Sequence, residues 1–384
     1  MTTSRFVWAL GVVALALAVP AALAVAGVLP FAYDFRAYWL AAAHLVTGQP
    51  MYPALDAPLG QPDEFHYLPM MAIPFVVLLP LGLPDAARTW LAFELVVAAL
   101  VGLWLIRPLP RAAQPWAAAA YVFFLPMVLE VTLGNIDLLS LALALVAWGA
   151  RARANAAIVP YAAAVGMKFL PIVLLPFYVA AGYGKIVWRA LVLGSAVVLL
   201  TAPLASRQLE QFVALLPRYM DTEWVRLHAD REVPAWLATI VWSDLFALAL
   251  ALATVALAIV FGLNARRDRA HETEWHHLAL ALSPYLAPFG FTWTTFLITS
   301  LPLFSMTLQK ALRLRPVPRA AAIGGLVACW FAMQIVQVRV LWPLVAHFVG
   351  VVGLVCIALA LTALESQTLG RSSPVVRATS TASG

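Results

Sequence analysis

Apolar runs long enough to cross a bilayer follow one another along almost the whole chain, over 6–29, 88–106, 116–133, 136–150, 187–205, 235–262, 320–338 and 341–363. About 20 apolar residues span a hydrocarbon core. No polar interval between the runs is long enough to fold as a soluble unit. With 64% hydrophobic and 11% charged residues, a chain of 384 residues has too little polar surface to coat a soluble domain. The sequence therefore predicts an all-α, polytopic integral membrane protein. Residues 1–364 form one transmembrane domain, and the Ser/Thr-rich 365–384 is expected to be a disordered cytoplasmic tail. The net charge of +6 speaks to topology, not to nucleic acid. Cys329 and Cys356 sit in apolar runs and read as packed thiols. Residues 6–29 are long for a signal core and are followed at once by Asp34, so they read as an uncleaved first span.

Three regions, 66–84, 156–183 and 278–308, do not read as simple spans. If 66–84 crosses fully, Arg107 and Arg111 fall on the same side as Asp34, the outer side. If it is half-inserted on the outer side, Arg107, Arg111, Arg151 and Arg153 fall inside with Lys185 and Arg189, as the positive-inside rule requires. Prolines at 69, 74, 80 and 84 also suit a bent, partly inserted segment. Splitting 156–183 near Lys168 and Pro171, and 278–308 near Gly290, gives about 12 membrane segments with both termini cytoplasmic. This arrangement places 16 of the 24 Lys and Arg inside and 12 of the 18 carboxylates outside. Residues 31–86 and 206–234 are then outer loops, the first with interfacial and half-inserted helices.

The polar work is expected on that outer face. The stretch 31–52 reads as an amphipathic helix at the membrane surface, stopped by Gly48. Asp34 and Tyr38, four residues apart, share one helical face. Asp34 is either a helix cap or a functional carboxylate, and the two roles are compatible. Three further groups accompany it: FHYLP (65–69, with His66 and Tyr67), LGNID (133–137, with Asn135 and Asp137) and MKFLP (167–171, with Lys168). A lysine at a Pro-broken point at membrane depth needs a partner or a job. It snorkels, pairs with Asp137 or Glu130, or holds an anion. His66 has no second His or Cys at ligand spacing, so it reads as an interfacial hydrogen-bonding side chain and no metal site is expected. Glu94 and Asp244, inside apparent spans, read as helix-to-helix hydrogen-bonding groups. The charged, aromatic-studded loop 206–234 reads as a solvated face or as a lid over an acceptor.

A carboxylate just above the bilayer with a cation nearby suits transfer of a sugar from a lipid-linked phosphate. The phosphate is already a good leaving group. A general base must take the acceptor's hydroxyl proton, and a cation steadies the charge gathering on the phosphate.

The run DFRAYWLAAAHLVTGQPMY, followed in order by FHYLP, LGNID, MKFLP and the inner loop GYGKIVWR, resembles glycosyltransferase family 87, most clearly over residues 31–190. The resemblance implies a GT-C-type fold and an inverting, polyprenyl-phosphate-dependent hexosyltransferase of the α-mannosyltransferase kind. Its active site would be extracytoplasmic, with Asp34 as base and Lys168 on the donor phosphate. Tyr38, His66, Tyr67, Asn135 and Asp137 complete the candidate substrate site. The partners implied are a polyprenyl-phosphate-linked sugar, a lipid or glycan acceptor and membrane lipids, with no cofactor. The second half departs from the pattern. LSPYLAPFGFTW (282–293) has the Ser-Pro without the Trp…His that follows it in the family, and 206–234 lacks an Asn-x-Ser. Two other readings remain at this stage. Broken helices also suit a lipid or solute transporter, and a catalytically inactive relative would only bind lipid-linked sugar.

Overall fold

A computed structural model describes residues 18–27, 31–55, 57, 64–168, 174–220, 244–268, 271–282, 294–334 and 345–371. Every regular element among them is helical. After a short helix over 18–25 (α1) comes α2, Tyr33–Thr47. Its interior lacks proline and glycine. It ends where Gly48 takes a left-handed conformation (φ 70°) and its N–H bonds to the His44 carbonyl, as expected from the sequence. At the other end the cap residue is Ala32, also left-handed (φ 53°) and without a side-chain cap bond. Asp34 lies inside the first turn, so it is not the cap. Ala32 is held in this sparsely populated region as its N–H bonds to the Thr132 carbonyl at 2.8 Å.

Residues Pro69–Leu81 form an unusually long 3-10 helix, interrupted by Pro74 and Pro80, and run directly into α3, Gly82–Ile106. The separate segments expected at 66–84 and 88–106 are thus one helical stretch of 38 residues. The run expected to cross at 116–133 is a broken pair instead. α4 (Gln114–Val122) and α5 (Leu125–Leu133) meet at 51°, with Phe124 extended between them as the N-cap of α5 and Pro126 in its first turn. Two short helices follow and pack on each other, α6 (Asp137–Gly149) and α7 (Ala154–Met167). The break expected near Lys168 is present: α7 stops at Met167, Lys168 is extended, and α8 (Leu174–Ala180) resumes the helix. α9 spans Gly184–Met220 and so absorbs the first half of the loop expected at 206–234. Its Gln208, Glu210 and Gln211 are good helix formers, and the helix carries through both Pro203 and Pro217. The remaining helices are Asp244–Arg267, His271–Leu282, a 3-10 turn Thr294–Ser300, Leu301–Leu312, Pro316–Gln334, and a π-turn leading into Gly353–Arg371. The last of these continues past Glu365, where the tail was expected to begin.

Among the described residues Pro69–Ile106, Gly184–Arg218 and Pro316–Gln334 are long and apolar enough to cross a membrane, and the bent α4–α5 pair is a fourth if it forms one span rather than a re-entrant loop. Asp137–Gly149, Ala154–Met167 and Val349–Leu364 are shorter apolar helices. Large apolar side chains on their surfaces, such as Val77, Leu199, Leu200 and Leu204, stand exposed as lipid-facing residues do. Among the described residues the interior has two apolar cores. The larger surrounds Trp148, Phe177 and Tyr178 between α6, α7 and α8. The smaller is aromatic and joins α2 to the 3-10 helix and α3. In it Phe35 stacks on Trp90 (5.8 Å between ring centres), Tyr38 on Phe75 (5.1 Å), and Phe75 packs on Trp90 (4.9 Å). This second core carries the candidate site.

Candidate functional site

The site is assembled from four chain segments that meet at the α5–α6 turn. α5 ends at Gly134, which is left-handed (φ 70°). A Cβ there would lie 2.7 Å from Phe35 Cβ and 3.3 Å from Trp90 Cδ1. Only glycine permits both the backbone conformation and the close seating of α2 on the turn. The next residue, Asn135, is the hub. Its Nδ2 donates to Asp34 Oδ2 at 2.7 Å. Its Oδ1 accepts from Tyr38 OH at 3.2 Å and from the Ile136 N–H at 2.7 Å. The amide orientation follows from these partners. The shared face expected for Asp34 and Tyr38 is thus used to grip one asparagine. Tyr67 OH lies 3.4 Å from Tyr38 OH, and the Tyr67 carbonyl accepts from Tyr52 OH at 2.5 Å.

Asp137 opens α6 and meets Lys168 from the end of α7, Nζ to Oδ1 at 2.5 Å. Both side chains are fully buried, 0% and 3% exposed, so the pair is a desolvated one. The ammonium also sits 5.7 Å from the centre of the Tyr67 ring. Of the alternatives open for Lys168, the structure takes the ion pair with Asp137. Glu130, one turn before Gly134, is buried, and its Oε1 accepts the Leu138 N–H at 2.7 Å.

Burial pushes the Asp34 carboxyl up to about 6; Lys168 opposes this, Asp137 adds to it, and the Asn135 bond opposes it. Burial likewise raises the Tyr38 and Tyr67 phenols, which therefore stay neutral. The result is a carboxyl that titrates close to neutrality, beside hydroxyl groups and one buried ion pair. Such a group can accept a proton from a bound hydroxyl.

Of the seven residues singled out from sequence, six converge here: Asp34, Tyr38, Tyr67, Asn135, Asp137 and Lys168. His66 turns instead toward Glu64, Nδ1 to Oε1 at 3.6 Å. Among the described residues no group of three His, Cys, Asp or Glu is placed to hold a metal ion. Glu94 is buried and its carboxyl lies beside the Trp90 indole of its own helix, so among the described residues it makes no hydrogen bond to another helix. The Asp244 side chain, Phe169–Pro171, 221–234 and 283–293 lie outside the described residues. Sequence reasoning gave Tyr52, Gly134 and Arg218 no individual place in the site. The last bonds to the Leu55 carbonyl and, at 3.0 Å, to the Ala57 carbonyl, tying α9 to the segment after α2. The Gly-Asn pair in LGNID signals a turn, but its partners come from far along the chain.

No curated protein and no solved structure matches this chain. One family model does, that of glycosyltransferase family 87, over residues 65–284. The match contains FHYLP, LGNID and MKFLP and runs beyond the first half, where the likeness looked strongest, to the Ser-Pro of 283–284; the Asp34 helix lies just ahead of it. Because the match spans more than half of a strongly apolar, helical chain, this protein belongs to glycosyltransferase family 87, a family of membrane glycosyltransferases.

Proposed function

We propose that the protein transfers a hexose, with mannose as the sugar, from a polyprenyl phosphate to a lipid or glycan acceptor. The fold is of GT-C type and residues 1–364 act as one domain. The site faces the extracytoplasmic side of the cell membrane, and both termini are cytoplasmic. The observation that carries the reading is the environment of Asp34: a carboxyl raised to about 6, oriented by Asn135 at 2.7 Å, and set in one cluster with the Lys168–Asp137 pair. A general base works best when its ionisation lies near the operating pH.

Asp34 takes the proton of the acceptor hydroxyl. The acceptor oxygen bonds to the anomeric carbon from the face opposite the phosphate. The bond from that carbon to the phosphate oxygen breaks, and its electron pair stays with polyprenyl phosphate. The configuration at the anomeric carbon inverts. Lys168 presents an ammonium with three donors, and Asp137 occupies part of that capacity. This ammonium meets charge developing on the phosphate. Asn135 holds the base, Tyr38 braces Asn135, and Tyr67 backs Tyr38. The deciding experiment incubates purified protein with labelled polyprenyl-phosphate sugars and candidate acceptors. Transfer of label that inverts configuration and vanishes in Asp34→Asn is the expected result. Absence of transfer from every polyprenyl-phosphate sugar, alongside transfer from a nucleotide sugar, overturns the donor assignment.

A further inference from the structure

Glu130 lies in an apolar helix, is fully buried, and belongs to none of the sequence groups that single out the site. Its contacts are concentrated on one short segment. The side chain accepts the Leu138 N–H at 2.7 Å. Its backbone carbonyl accepts the N–H of Gly134 at 3.0 Å and of Asn135 at 3.1 Å. The backbone carbonyl, which any residue would supply here, holds the start of the turn 134–137, and the Glu130 side chain holds Leu138 just after it. That turn carries Asn135, which holds Asp34 and Tyr38, and Asp137, which holds Lys168. The other side of α5 is tied to the start of α2, through the Thr132 carbonyl and the Ala32 N–H at 2.8 Å.

We propose that Glu130 is a positioning residue for glycosyl transfer, setting the α5–α6 turn so that Asn135 and Asp137 hold the base and the lysine in register. The inference rests on the reading of Asp34 as the base. What the turn takes from Glu130 is an acceptor oxygen at the right reach. Charge is not what is needed: Asp34, Asp137 and Glu94 all act on Glu130 electrostatically with the same sign, and Lys168 is the cation that opposes them. Glutamine, with the same length and an amide oxygen, supplies that acceptor. Aspartate keeps the acid and falls short by one methylene.

The test compares Glu130→Gln, Glu130→Asp and Glu130→Leu in the full-length protein, with kcat, KM, thermal unfolding and the pH profile of kcat measured on folded material. Displacing a reacting group by about 1 Å costs about a hundredfold in rate. Glu130→Leu is expected to lose about that much in kcat, Glu130→Asp less, and Glu130→Gln to stay within a few-fold of the parent. The pH profile separates positioning from charge. Lys168, Asp137, Asn135, Tyr38 and Tyr67 face Asp34, and the buried Glu130 and Glu94 carboxyls also act on it. When Asn135 is displaced, its bond no longer stabilises the Asp34 carboxylate, and the acidic limb moves to higher pH in the Leu and Asp variants. Simple removal of a negative charge would move it lower. Parental kcat and an unmoved limb in folded Glu130→Leu overturn the inference. If Glu130→Leu does not fold, Glu130→Asp outperforming Glu130→Gln overturns it equally. Asp34→Asn, measured alongside, isolates the underlying reading: an active Asp34→Asn sinks the base, while an inactive one beside a fully active Glu130→Leu sinks only the positioning role.

Discussion

Replacing Asp34 by Asn tests stability and chemistry in one variant, with opposite signs. The rise of the Asp34 carboxyl from 3.8 to about 6 comes chiefly from burial. Because the folded value lies above the unfolded one, the fold holds this proton more tightly than the unfolded chain does. The ionised form is therefore a liability: stability is highest below about pH 4 and declines as the pH climbs to about 6. Two pH units correspond to ~3 kcal/mol, and partial exposure of the side chain trims that to about 1–3 kcal/mol. Asparagine cannot ionise, and its amide oxygen can still accept the Asn135 Nδ2–H. Asp34→Asn should accordingly be more stable than the parent by about 1–3 kcal/mol near pH 8 and no more stable near pH 4. Turnover should fall by about 10²–10⁴-fold, since the proton acceptor is gone. The parent's own kcat should drop as the pH falls through about 6. Thermal unfolding in detergent at the two pH values, paired with label transfer, reads all of this. A destabilised Asp34→Asn at alkaline pH would contradict the burial reasoning. A variant that still transfers sugar at the parental rate would remove Asp34 from the chemistry.

Lys168→Ala leaves Asp137 buried without its ion partner and should cost ~3–5 kcal/mol of stability. Adding Asp137→Asn should restore much of that but not donor use, which falls about tenfold to a hundredfold; a double variant with parental KM for the donor would refute the phosphate contact. Gly134→Ala forces a Cβ to within 2.7 Å of Phe35 Cβ at a left-handed position. It should lose about 2–4 kcal/mol together with activity, and an unchanged melting temperature would refute the close seating of α2. Single cysteines at Thr222 and Thr273, in a chain lacking Cys329 and Cys356, should label oppositely with an impermeant reagent in intact cells; equal labelling refutes the proposed sidedness.

What could be read in the sequence was local. The four-residue spacing of Asp34 and Tyr38 places them on one face, Gly48 stops α2, and a lysine near Pro171 marks the end of α7. Those features depend on the backbone within a turn or two. The partners depend on tertiary contacts. Asp34 meets Asn135 across 101 residues, a pairing that hydrophobic periodicity does not encode. The glycine in LGNID signalled a turn, but not that Phe35 would press against it. His66 sat in a persuasive motif, yet its neighbour Glu64 captured it. The extent of α9 was missed because charged residues after 205 were read as a loop, when they are equally at home on a helix that leaves the membrane.

α9 also ties the site to the lipid around it. Its candidate span, Gly184–Arg218, has 35 residues. At 1.5 Å per residue it is about 52 Å long, against a hydrocarbon core of about 30 Å. The surplus stands clear of the core, and its last turns reach Leu55 and Ala57 through Arg218 and Tyr52 through Phe212. From Tyr52 the chain of contacts runs to Tyr67, Tyr38 and Asn135. A thicker or thinner bilayer must tilt α9 or draw it in, because mismatch is relieved by tilt before it is relieved by unfolding. Three tyrosines and one asparagine thereby link the outer end of α9 to the carboxylate at Asp34.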